Sequence, residues 1–132
     1  MSQMIEVKTA ELSGPSLRWA VAQAEGLEVT IHPPAYGNGH RLAVNGKTEA
    51  YRPDTDWGQG GPLLDRHCKS FGCVQDGRDG TWRAFGYGKG EAFDPNRTMR
   101  LASGPSILVA ACRAIVAAKL GDTVAVPAEL LP

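Results

Sequence analysis

Residues 53–61, Pro-Asp-Thr-Asp-Trp-Gly-Gln-Gly-Gly, carry the most varied side-chain chemistry in the chain. Asp54 and Asp56 flank a threonine, Trp57 and Gln59 follow at once, and an apolar run begins just beyond. Carboxylates beside a helix start, an aromatic platform and permissive glycines can hold a cation, an amine or a nucleobase. The same carboxylates can serve a small hydrolase or transferase as base or metal ligand. A plain turn asks for the same residue types: an Asp to cap it, a Trp to cover the core, glycines to permit the bend. Asp54, Asp56, Trp57 and Gln59 are the candidate ligand-binding residues. No catalytic residue, metal ligand or cofactor is assigned.

Other clusters give weaker signals. Ser-Gly-Pro-Ser occurs at 13–16 and again at 103–106, and Gly-Gly-Pro at 60–62 is a variant of it. Helix N-termini attract anions. Neither a GxxxxGK[ST] loop nor a GxGxxG turn is present, however, and a first-turn proline removes a donor a phosphate would want. These are read as helix starts. His67, Cys68 and Cys73 form no CxxC pair, and four zinc ligands cannot be assembled from the spacing. His32 and His40 flank a Gly/Pro loop, Cys112 reads as a small core residue, and no GxSxG elbow exists. Tyr36, Tyr51, Trp82, Phe85 and Tyr87, interleaved with Arg52, Arg83, Lys89, Arg97 and Arg100, offer a stacking surface for nucleic acid. Period-two strands place aromatics in cores equally well.

The elements that must position these residues follow from periodicity. Leu17, Ala20, Val21 and Ala24 fall at helical spacing, with Ser13 as capping acceptor, Pro15 in the first turn and Gly26 as stop. They predict a helix over 14–25, with Trp19 at its edge. Leu27, Val29 and Ile31 alternate as a half-buried strand, and 32–40 is a loop. Residues 41–44 and 48–52 read as a hairpin about Asn45-Gly46. Pro62 predicts a second helix over 61–71 with Leu63, Leu64, His67 and Phe71 on one face. Cys73-Val74 and 82–85 read as a hairpin about a turn at 76–80, followed by a loop at 89–96 and a short strand at 97–102. A helix over 104–119 is apolar nearly all round and must be enclosed. Gly121 ends it, and the tail from about 122 lays Val124 and Val126 against the body. The expectation is α+β: one domain spanning 1–132, a curved antiparallel sheet of short hairpins packed with three helices.

Bulk properties narrow the function classes. At 132 residues and 42% apolar content the chain can build a real core. Fourteen basic residues balance fourteen acidic ones, for a formal net charge of zero. That balance makes nucleic acid an unexpected main partner and leaves homodimerisation open. No signal-like start and three sparse cysteines point to the cytoplasm. The longest apolar stretch, 107–118, is broken by Arg113 and falls short of the roughly 20 residues a membrane span needs.

Three blocks, "VKTAELSGPSLRWAVAQAEG", "YRPDTDWGQGGPLLDRH" and "GPSILVAACRAIVAAKLGDTVAVPAEL", together resemble a family of small bacteriophage and prophage proteins with no assigned activity. The likeness covers nearly the whole chain, with 32–50 fitting least well. It implies a phage or prophage gene acting inside a bacterial cell and brings no catalytic residues. Its central block coincides with the candidate site. The expected function is a non-enzymatic accessory module that engages a host protein or sequesters a small nucleotide-like ligand. A hydrolase or transferase using Asp54 or Asp56, and a nucleic-acid-binding protein, are the alternatives.

Overall fold

A computed structural model describes residues 3–34, 39–74, 81–87 and 99–132. Among these residues the architecture is α+β, with three helices and antiparallel sheets of short strands, none of them closed. The strands divide into two ribbons and one three-stranded sheet in place of one continuous curved sheet. The expected turn at 76–80, the loop at 89–96 and the aromatic and basic residues Tyr36, Lys89 and Arg97 lie outside the described residues.

Helix α1 (Gly14–Ala24) matches its predicted span and buries Leu17, Ala20, Val21 and Ala22. Ser13 sits at its N-cap but makes no side-chain cap bond, contrary to expectation. Instead Ser16 Oγ donates to the Ser13 carbonyl at 2.9 Å. The second Ser-Gly-Pro-Ser opens its helix in a different register. Its last serine, Ser106, caps α3 (Ile107–Leu120) by accepting from the Val109 amide at 3.2 Å. Its first two residues still belong to a strand, β6 (Met99–Gly104), paired with Arg83 and Trp82, and Gly104 lies so close to α3 that a side chain would meet Val109 and Ala110.

Asn45 and Gly46 form the expected turn, both at positive φ, closed by the Lys47 amide donating to the Val44 carbonyl at 3.0 Å. The returning arm at 48–52 is not a strand. Strand β3 (Arg41–Val44) pairs instead with β2 (Val29–His32), and 48–52 is tied back by the Tyr51 amide donating to the Leu42 carbonyl. Helix α2 (Trp57–His67) begins and ends four residues before its predicted span. Pro62 was the natural start signal, since proline favours first turns. Here it is the sixth helical residue, tolerated beside glycines 58, 60 and 61. Phe71 therefore leaves the helix face expected of it: it stands 53% exposed on β4 (Cys68–Val74).

Strands β4, β5 (Thr81–Tyr87) and β6 form the three-stranded sheet in that order. Helix α3 packs across it and also against α1 and α2. Ala110, Ala114, Ile115 and Val116 are sealed from solvent, as an all-apolar helix requires. Its alanines let the sheet approach closely: a side chain at Gly86 of β5 would collide with the Ala114 backbone. Val124 and Val126 are buried as expected, on β7 (Thr123–Pro127). That strand pairs with β1 (Met4–Lys8), which too few alternating residues had announced. Among the described residues, no helix is long and apolar enough to cross a membrane.

Candidate binding site at the start of the second helix

The bend at 53–61 holds its shape through the side chains that made it conspicuous. Asp54, only 5% exposed, accepts from Arg18 Nε of α1 at 2.7 Å. A buried carboxylate of this kind needs such a partner, and the pair fastens the bend to α1. Asp56 is the N-cap of α2, its Oδ1 accepting from the Gly58 amide at 2.9 Å. A cap of this kind stabilises a helix by about 1 kcal/mol. Gln59 fastens the preceding segment in both directions. Its Oε1 accepts from the Arg52 amide at 2.6 Å, while Nε2 donates to the Ala50 carbonyl at 2.8 Å and to Glu49 at 3.1 Å. Gly60 is buried because its Cα faces the Pro53 carbonyl with no room for a side chain.

Trp57 behaves differently. As the first residue of α2 it stands 57% exposed. A groove of about 360 Å³ opens between α2 and the Asn45-Gly46 turn, and Trp57 is not among the residues that line it. Gly58, Gln59, Leu63 and Arg66 form one wall; Val44 and Lys47 contribute to the other. The structure thus brings all four candidate residues into one bend, and presents one of them, Trp57, to solvent.

At the end of the groove lies a charge cluster that the sequence pattern did not single out. Glu25 closes α1, and its side chain is 8% exposed. It accepts from Lys119 Nζ at 2.7 Å, lies 3.0 Å from His67 Nε2 and 3.4 Å from Arg66. The hydrogen bond to His67, helped by Lys119 and opposed by burial, holds the Glu25 carboxyl down at about 2. All three helices end here. Lys119, Arg66 and His67 suit the negative ends of their helix dipoles, whereas an acid at a helix C-terminus does not. That misplaced acid was the available signal.

Three further titratable groups are buried in the core. Burial pushes the Cys68 thiol up to about 11 and raises the Cys112 thiol and Tyr51 phenol further, so all three stay neutral and inert. No group of three or more potential metal ligands occurs among the described residues.

With this geometry in hand, comparison with known proteins becomes informative. Residues 8–119 match the family described as Bacteriophage P22, NinX. The chain belongs to that family. NinX membership makes it a phage-encoded accessory protein, in agreement with the resemblance read from the three sequence blocks. The matched stretch contains the whole Asp54–Gln59 bend and the Glu25 cluster, and leaves out most of the β1–β7 ribbon. No curated protein matches the chain.

Proposed function

We propose that this NinX-family chain is a non-enzymatic binding protein that engages a host protein, inside the bacterial cytoplasm, through the exposed Trp57. One observation carries this: Trp57 is exposed on a rigid helix start while Asp54, Asp56 and Gln59 are all committed to holding that start in place. Rigid, exposed tryptophans are the residues on which protein–protein affinity concentrates. A small nucleotide-like ligand would need convergent, uncommitted polar groups, and the bend has spent its own on the scaffold. Hydrolase chemistry by Asp54 is likewise unsupported, because Arg18 covers its carboxylate.

Trp57→Ala tests the reading. The substitution is expected to change unfolding free energy by no more than about 0.5 kcal/mol, as for an exposed site. Retention of the host partner on immobilised protein is expected to weaken by about thirtyfold, the loss typical of an anchor residue worth roughly 2 kcal/mol. A partner held equally well by both proteins would refute the assignment.

A further inference from the structure

The chain leading into the bend is basic. Residues 39–52, which run through β3 toward Pro53, carry Arg41, Lys47 and Arg52 against a single acid, Glu49. All three cations are exposed, and none pairs with an acid among the described residues. Glu49 turns the other way: it accepts from Gln59 Nε2 and lines the groove beside α2.

Adjoining hollows collect these charges. One, of about 480 Å³, is bounded by Pro15 and Arg18 of α1 and by His40, Arg41 and Arg52, with no acid in its lining. Arg41 also borders the other, of about 250 Å³, together with His32, Lys47 and Thr48, again with no acid. Arg41 is held at that boundary by donating through Nη1 to the Thr48 carbonyl at 3.0 Å. Lys47 stands where the smaller hollow meets the groove beside α2. Arg18 adds no net charge, since its Nε donates to Asp54. Arg52 is pinned at its backbone. Its amide donates to Gln59 Oε1 at 2.6 Å, and its carbonyl accepts from the Thr55 and Asp56 amides at 3.2 and 2.8 Å. A rigid support thus carries an exposed guanidinium.

Like charges gathered without counter-charges repel one another, and a partner of opposite sign relieves them. The cations are spread over both hollows, so a compact anion cannot reach them all, whereas an extended segment can. Tyr51, the tyrosine in the larger hollow, is buried, which leaves bases no such ring to stack on. The bond from the Asp56 amide to the Arg52 carbonyl closes one turn, and Trp57 is the next residue. The basic surface therefore continues into the exposed tryptophan.

We propose that the host protein anchored by Trp57 also presents an acidic segment, which lies across Arg52 and Arg41 toward Lys47. This acidic segment is a further property of that partner and so rests on the protein-binding reading of Trp57. Guanidinium groups pair with carboxylates through parallel hydrogen bonds, and opposed surface potentials speed encounter and exclude wrong partners.

Fluorescence anisotropy with labelled oligoglutamate, oligoglutamine and oligothymidylate tests it. Oligoglutamate is expected to bind at low salt and oligoglutamine not, with affinity falling as salt screens the charges. Arg52→Glu, at an exposed side chain, should weaken oligoglutamate binding at least about tenfold, and Lys47→Glu should act in the same direction. Lys69→Glu makes the same charge change on β4 and should leave affinity within about twofold. Trp57→Ala should bind oligoglutamate like the parent, so the peptide reads the basic surface without the anchor. On immobilised protein, Arg52→Glu should also weaken retention of the host partner. Retention lost by Arg52→Glu yet kept by Trp57→Ala would uphold the acidic partner and sink the Trp57 reading. Retention lost by Trp57→Ala yet unchanged by Arg52→Glu would do the reverse. Absence of oligoglutamate binding, an equal loss from Lys69→Glu, or tighter binding of oligothymidylate would likewise overturn the proposal.

Discussion

Glu25→Ala is expected to destabilise the protein by about 3–5 kcal/mol, because it breaks a buried ion cluster by removing the shared partner. Lys119 and His67, with side chains 19% and 12% exposed, would be left facing each other at 3.4 Å without the carboxylate between them. The loss falls on the point where the C-termini of all three helices meet, so it should appear as a lower urea midpoint for the whole molecule. Acid provides a second check. The folded carboxyl titrates at about 2 against an ordinary value of 4.5, a difference worth roughly 3 kcal/mol. A depressed value means that this stability is complete above about 4.5 and is lost as pH falls toward 2. The gap between parent and Glu25→Ala should therefore narrow over that interval. A gap constant with pH, or a midpoint unchanged by the substitution, would show that the cluster contributes little.

Gly60→Ala and Gly61→Ala should move stability in opposite directions although the residues are adjacent on one helix. A side chain at Gly60 would run into the Pro53 carbonyl and come within 2.9 Å of Leu108 on α3. Neither the bend nor the core helix can retreat, so a loss of about 2–3 kcal/mol is expected, as for other overpacked sites. At Gly61 the nearest atom is Trp57 Cε3 at 3.8 Å, an ordinary contact. Alanine there should add up to about 1 kcal/mol through helix propensity alone. Chemical denaturation of the two variants side by side reads the sign directly. Because Pro53 opens the bend, Gly60→Ala should also weaken the host-partner retention that depends on Trp57, while Gly61→Ala should leave it intact.

The α+β class, the three helices and the Asn45-Gly46 turn were legible because they rest on local signals: period, proline, glycine and positive φ. The start of α2 was legible too, but a stronger-looking signal masked it. Asp56 followed three residues later by Gln59 is a cap signature; Pro62 drew the boundary forward because prolines in second turns are uncommon. Here Gln59 turns outward to fasten residues 50 and 52, so the signature does two jobs at once. The Glu25 cluster joins residues 42 and 94 positions apart, and only packing brings them together. The same holds for the bend: residue types marked it as unusual, but only the fold separates three side chains that build it from one that faces outward.

A photocrosslinking benzoylphenylalanine at position 57, compared with one at Phe71, reads that division most directly, since the two positions are similarly exposed at 57% and 53%. In phage-carrying cells, position 57 is predicted to yield one discrete adduct with a host protein that position 71 does not form. Adducts of equal yield and identity from both positions, or none at 57, would contradict the account.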